Sequence, residues 1–389
     1  MADYKYLVFA GGGSTGIAYS GAIEQLEREP EFSFDQIESV AGASVGALAA
    51  LMISLKYTPE QASQTLAGIN FKKLADGGLL PEEGIHLATR YGIYKGEALY
   101  ALILSLIEEK TSLLVPKINP ATVTFADLQK LGFRDLHVVA TKIQEINGAP
   151  TGKLKHFSFD KTPDTPVAAV IHASAAAPLF FERVRLKKVA KGHYVLDEDG
   201  DLYCDGGVLN DFPIDIFDHP KYLPGTDDNN VSEIINPHTL GLAVRPKSKI
   251  INSQHKPVKK RIGDHDPVKA FEGVLNSFLL DFEQEGLNKK KNAKRTIEID
   301  TLGVSPFNFN IDSHTVSALQ ASGKQAVIEY FHPQPKLTGK TKKHVENNFK
   351  GKKPDYGKMW PVQKIEEPDK DSKEKIDRNC DMSSKCVLI

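Results

Sequence analysis

Only 3 cysteines, Cys204, Cys380 and Cys386, occur in the 389 residues. So small and odd a number excludes a disulfide framework and a cysteine-rich zinc site, and it fits a reducing compartment. Neither metal nor cofactor is expected. An excess of one charge is also missing: 49 Lys and Arg face 50 Asp and Glu, for a formal net charge of −1. Bulk charge therefore speaks against a nucleic-acid partner. Long apolar runs are lacking too. The longest uncharged one, residues 47–55, is about half of a membrane span, so no transmembrane helix is expected. The opening MADYKYLVFAGGG enters a strand almost at once, without the charged n-region and apolar core of a cleavable secretion signal. Ala2 stands where N-myristoylation needs glycine.

What is present is an ordinary globular mixture, 41% hydrophobic and 25% charged, which excludes a wholly disordered chain. The length suits one large α/β domain or two ordinary ones. Residues 6–10 read as a buried strand, followed by a glycine-rich turn and an amphipathic helix over 17–29. A second strand over 38–43 leads into an Ala- and Leu-rich helix over 44–55. This order predicts an α/β fold built on a mostly parallel sheet. Helices are expected over 58–67, 95–109, 166–177 and 271–292, and core strands over 136–141 and 241–245. Residues 194–196 and 202–204 flank the turn-like Asp197-Glu198-Asp199-Gly200, as in a hairpin.

Three segments can carry chemistry. Gly42-Ala43-Ser44-Val45-Gly46 is a G-x-S-x-G pattern between a strand and a helix. Its outer glycines, Gly42 and Gly46, permit a sharp turn that lifts the Ser44 hydroxyl off the sheet edge at a helix N-terminus. The plain alternative is a serine that caps the helix. Gly11-Gly12-Gly13-Ser14-Thr15-Gly16 also joins a strand to a helix, and Gly11, Gly13 and Gly16 match a dinucleotide-binding G-x-G-x-x-G. That reading needs an acid at the end of the second strand, and the strand ends at Ala43-Ser44. The competing reading is an oxyanion hole, with successive glycine amides aimed at one spot. Third, Asp205-Gly206-Gly207 follows a strand and offers a carboxylate that can take a serine proton; its plain alternative is a simple turn. A Ser–His–Asp triad competes with a Ser–Asp pair, with His156, His172 and His193 among the 12 histidines available.

The order glycine loop, G-x-S-x-G, D-G-G resembles the patatin-like phospholipases. Gly92-Ile93-Tyr94-Lys95-Gly96 agrees, as do Ala173-Ser174-Ala175-Ala176-Ala177-Pro178 with Phe180-Phe181-Glu182, and Thr301-Leu302-Gly303-Val304. The resemblance spans about residues 5–332. It implies a three-layer α/β fold with helices on both sides of the sheet and hydrolysis of phospholipids or lysophospholipids through an acyl-enzyme. It assigns the nucleophile to Ser44, the general base to Asp205, and the oxyanion hole to Gly11, Gly12 and Gly13. Gly42, Gly46, Gly206 and Gly207 are the motif's supporting glycines. One position departs: Thr15 stands where the family often carries Arg or Lys. That departure is the sequence support for the alternative, an inactive membrane-tethered binding protein on a hydrolase fold.

Composition divides the chain into a domain over 1–332 and a charged, flexible tail over 333–389. Residues 336–358 hold 8 Lys against Glu346 and Asp355. The sequence closes on Cys386-Val387-Leu388-Ile389, a C-a-a-X pattern with Cys386 as lipid acceptor. The expectation is prenylation by a eukaryotic prenyltransferase, with the lysines as a second membrane signal. The expected location is therefore the cytoplasmic face of a eukaryotic membrane. A bacterial chain would reach it as a secreted effector, with a host activating factor as a further partner.

Overall fold

The computed structural model describes residues 3–75, 92–112, 118–147, 149–223, 234–246 and 292–333. These belong to one unit, residues 1–333; residues 334–389 form a second unit and lie outside the described set. Most of the helix expected over 271–292, the lysine-rich stretch, Cys380 and Cys386 lie outside it as well. No described helix is long and apolar enough to cross a membrane.

The centre is a nine-stranded sheet in the order β11-β10-β1-β2-β4-β9-β7-β8, with β5 paired to β4. The strands are β1 Tyr6–Phe9, β2 Ser39–Gly42, β4 Asp135–Ile146, β5 Ala149–Phe157, β7 Val184–Ala190, β8 His193–Leu196, β9 Asp201–Cys204, β10 Thr239–Arg245 and β11 Thr296–Asp300. A separate two-stranded parallel sheet joins β3, Gly92–Tyr94, to β6, Leu179–Phe181. Six α-helices of eight or more residues are described: α1 Ala18–Leu26, α2 Val45–Ser54, α3 Pro59–Gly68, α4 Glu97–Thr111, α5 Val167–Ser174 and α6 Ser313–Phe331.

β1 shows why this half is layered. All four of its residues are apolar and buried, as in a strand covered on both faces. Side chains alternate, so Leu7 and Phe9 enter the main core with α1 and α2. Tyr6 and Val8 enter a smaller core with Phe212, Ile214 and Phe217, which cover the opposite face.

The sheet is mixed. β11, β10, β1, β2 and β4 run parallel, whereas β5, β9, β7 and β8 are joined by antiparallel pairings. The hairpin expected between β8 and β9 does not form. Both strands pair with β7, where Leu186 faces Leu196 on one side and Asp201 on the other. The reversal at Asp197–Gly200 is real, with the Gly200 N–H donating to the Asp197 carbonyl at 2.9 Å, but β7 fills the space between its arms.

β4 acts as the ruler for the site. Residues 135–138 pair with β2 and residues 141–143 with β9, while β5 occupies the opposite edge. β2 therefore runs up to Val138, and β9 comes down to Thr141 from the other direction. Their ends face one another across a gap at Val139 and Ala140. Ser44 follows the end of β2 and Asp205 follows the end of β9, so register alone brings these distant residues together.

Candidate active site

The elbow is built locally. Between β2 and α2, Ser44 holds φ 53° and ψ −128°, a left-handed backbone rare for a residue with a β-carbon. Such a conformation costs on the order of 1–3 kcal/mol and persists only where surrounding structure fixes it. The turn is tight enough that a Cβ on Gly46 would lie 2.4 Å from the Phe9 and Ala10 carbonyl oxygens, and one on Gly42 would lie 2.3 Å from the Gly46 carbonyl oxygen. Ser44 stands where a capping serine would, yet its side chain makes no capping bond to α2. Its hydroxyl is instead close enough to the Asp205 carboxylate to lower that group's pKa. Its N–H donates to Ser174 Oγ at 3.1 Å.

Asp205 is 5% exposed and Ser44 9%. Asp205 Oδ1 accepts the Gly207 N–H at 2.7 Å. Burial pushes the Asp205 carboxyl up from 3.8 to about 6, against the downward pull of Ser44 and Gly207. Gly206 presses its backbone on β4, where a Cβ would lie 2.3 Å from the Val139 carbonyl oxygen. A Cβ on Gly207 would lie 2.6 Å from Asp211 Oδ1 and 3.1 Å from Asp205 Oδ1.

The glycine loop lies beside the elbow. A Cβ on Gly11 would be 3.3 Å from that of Ser44. Gly12 and Gly13 adopt φ 154° and 54°, which glycine tolerates and other residues resist. The loop differs in one respect from the expectation of three free amides. The Gly11 N–H donates to the Asp211 carbonyl at 2.9 Å. Among the described residues the Gly12 and Gly13 amides have no acceptor, so these two are the loop's open donors. Thr15 does not reach outward; its hydroxyl donates to the Gly12 carbonyl at 2.7 Å and closes the loop on itself. The Ser14 N–H donates to the Pro306 carbonyl at 2.8 Å. Beside Pro306 a cavity of about 480 Å³ is lined by Val304, Ser305 and Phe307 among others.

None of the three histidines considered stands between Ser44 and Asp205. His172 stacks on Tyr100, with ring centroids 5.1 Å apart. His156 is bonded to His137, and His193 lies on β8. Cys204 precedes Asp205, but burial pushes its thiol up to about 12, so it is not a thiolate nucleophile. Two contributors are not assigned by sequence reasoning. Ser174 sits inside the Ala173–Pro178 segment, where a lone hydroxyl among alanines is a signal in itself. Asp211 follows the D-G-G turn as an unremarkable loop acid.

The profile of the family described as Patatin-like phospholipase matches residues 7–218, more than half of the chain, and takes in the glycine loop, the elbow, Ser174 and the Asp205 turn. The resemblance read over 5–332 thus extends past the matched region, and β10, β11 and α6 lie beyond it. An uncharacterized protein of Bacillus subtilis, YqhO, is 32% identical over 56% of this chain and 68% of its own length. A probable lipid hydrolase of Invertebrate iridescent virus 6, 463L, is 26% identical over 55% of this chain and 63% of its own. Among solved structures, VipD from Legionella pneumophila aligns with a TM-score of 0.49 at 16% identity, covering 85% of this chain and 67% of that one. By its match over residues 7–218 the chain belongs to the patatin-like phospholipase family, which makes lipolytic hydrolysis its general class of activity.

Proposed function

We propose that the chain is a serine lipid acyl hydrolase that cleaves phospholipids or lysophospholipids with Ser44 and Asp205 alone. The observation that carries this reading is the strained Ser44 elbow set against a buried carboxylate, Asp205, whose pKa is raised to about 6. A base must be ionised near neutrality yet avid enough to take a hydroxyl proton, and this environment suits both needs. Asp205 accepts the Ser44 proton as Oγ attacks the ester carbonyl carbon. The oxyanion is met by the Gly12 and Gly13 amides, with Gly11 letting the loop approach the nucleophile. The tetrahedral centre collapses, the ester C–O bond breaks, and Asp205 returns the proton to the departing alkoxide. Asp205 then deprotonates a water that attacks acyl-Ser44, the acyl C–Oγ bond breaks as Asp205 returns the proton to Ser44 Oγ, and a free fatty acid leaves.

Membrane tethering completes the reading. Its support is the Cys386-Val387-Leu388-Ile389 pattern and the lysines of 336–358, and it places the enzyme at a lipid surface inside a eukaryotic cell. Incorporation of a labelled prenyl group in a eukaryotic lysate, absent from Cys386→Ser, tests that part.

The decisive experiment is fatty-acid release from mixed phospholipid vesicles, with and without eukaryotic cell extract. Wild type should release fatty acid, and Ser44→Ala and Asp205→Ala should not. No release in any arm from folded wild type would replace this reading with that of a binding protein on a hydrolase fold. Release only with extract would mean that an activating factor is required.

A further inference from the structure

The nucleophile and its base approach from two different strands, and their meeting is held from a third place. Ser174 is the last residue of α5 and is fully buried. Its Oγ accepts the Ser44 N–H at 3.1 Å and donates to the Val139 carbonyl at 2.7 Å. Its own carbonyl accepts the Gly206 N–H at 3.1 Å, and two residues on, the Ala176 carbonyl accepts the Asp205 N–H at 2.9 Å. The helix C-terminus explains the carbonyls, because the last carbonyls of a helix have no intrahelical partner and must find one elsewhere. The hydroxyl has its single proton committed to Val139 and a lone pair turned to Ser44, so its orientation is fixed at both ends.

We propose that Ser174 is a positioning residue, holding the Ser44 backbone in its left-handed elbow through its hydroxyl and the Asp205 turn through its carbonyl. This inference rests on the Ser44–Asp205 reading. Val139 lies in the gap between the ends of β2 and β9, so the same clasp ties both partners to β4. Without the hydroxyl, the Ser44 amide loses its acceptor in a place that water does not reach. One restraint on the strained φ is then lost, and any relaxation towards an ordinary value turns Oγ away from Asp205. A further consequence is that the Ser44 N–H is engaged and does not serve as an oxyanion donor.

The test compares wild type, Ser44→Ala, Ser174→Ala, Ser174→Cys and Ser174→Thr. The measurements are hydrolysis of a soluble p-nitrophenyl ester, the rate at which a fluorophosphonate labels Ser44, and the thermal melt. Cysteine nearly matches serine in shape but is a weak donor and acceptor, so it preserves packing and removes the clasp. Ala and Cys should lower kcat and labelling rate by about 10- to 100-fold with KM little changed, as misplacement of a reacting group does. Thr keeps the hydroxyl and should stay within about threefold of wild type in kcat. The acid limb of the rate profile should move to higher pH in Ala and Cys, because the Ser44 contact that lowers the Asp205 pKa is weakened. A packing defect has no reason to move that limb. Wild-type kcat in folded Ser174→Cys overturns the proposal, as does a folded Thr variant no better than Cys. Failure of both Ala and Cys to fold also overturns it, since Ser174 would then serve the fold. If wild type hydrolyses no faster than Ser44→Ala, the Ser44–Asp205 reading itself falls.

Discussion

Two acid-centred clusters lie along β4, and they differ in kind. Near its start, Asp135 Oδ2 bonds His137 Nε2 at 2.9 Å, and His137 Nδ1 bonds His156 Nε2 at 2.8 Å. The Phe217 and Tyr222 rings pack edge-on to His137. Burial, with His137 and nearby Lys161 and Lys221, pushes His156 down to about 2, so that ring stays neutral. All three residues stand on regular strand backbone. A few residues further along, at Val139, the second cluster has a strained serine, a carboxyl pushed up to about 6 and two glycine amides without an acceptor among the described residues. Burial of ionisable groups is common to both. Only the second combines stored strain with open donors and a carboxyl that titrates near neutral pH, the features that prepare a site for chemistry.

If that contrast is right, removing the acid has opposite consequences for activity and for stability. Asp205→Asn should lower fatty-acid release by at least about 10³-fold, the scale of losing a base from a nucleophile–base unit. It should also make the protein harder to unfold. A folded-state carboxyl raised from 3.8 to about 6 destabilises the fold when ionised, fully so above pH 6 and not at all below 3.8. Asparagine keeps an oxygen for the Gly207 N–H and carries no charge. Urea unfolding at pH 8 should therefore show a gain of up to about 3 kcal/mol, shrinking as pH falls towards 4. A loss of stability at pH 8 would mean that the carboxylate is a structural anchor, like Asp135.

The pH profile sharpens the same distinction at smaller scale. With Asp205 as base, kcat should fall on the acid side with a midpoint near 6 and drop about tenfold by pH 5. A solvated aspartate would keep activity level down to about pH 4. A limb at that lower pH, in protein shown to be folded, would remove Asp205 from the role of base.

How much of this was legible in the sequence follows from how local each feature is. The elbow was readable because glycine, serine, glycine, strand end and helix start all fall within a few residues around Ser44. Asp205 was readable only as a turn acid made meaningful by family resemblance. Its meeting with Ser44 depends on β9 taking the edge of β4 that β2 vacates, and no local pattern states that. The β8–β9 hairpin was misread for the same reason, since turn residues specify a reversal and not the strand that fills it. β7 does carry an alternating pattern, with Val184 and Leu186 inward and Arg185 and Lys187 outward, but pattern alone names no partner. The engagement of the Gly11 amide by Asp211 is likewise a long-range event, visible only once the turn after β9 is folded against β1.

The smallest effect tests the quiet cluster directly. His156→Leu leaves His137 Nδ1 buried without its partner, which should destabilise by about 1–3 kcal/mol. In a domain of this size that corresponds to a fall in Tm of about 2–10 °C. The sign of the pH dependence is also set. A histidine held neutral in the fold, with a pKa pushed from 6.5 to about 2, contributes stability above pH 6.5 and loses it progressively as pH falls below that value. The gap between wild type and His156→Leu should therefore narrow as pH drops from 7 to 5, since only wild type pays for keeping this ring uncharged. Ester hydrolysis at 25 °C and pH 8, where both are folded, should give the same kcat. A kcat that falls with His156→Leu as it does with Asp205→Asn would join the two clusters into one functional unit. An unchanged kcat with a lowered Tm would leave His156 and His137 as packing for the far end of β4 and keep the chemistry at Ser44 and Asp205.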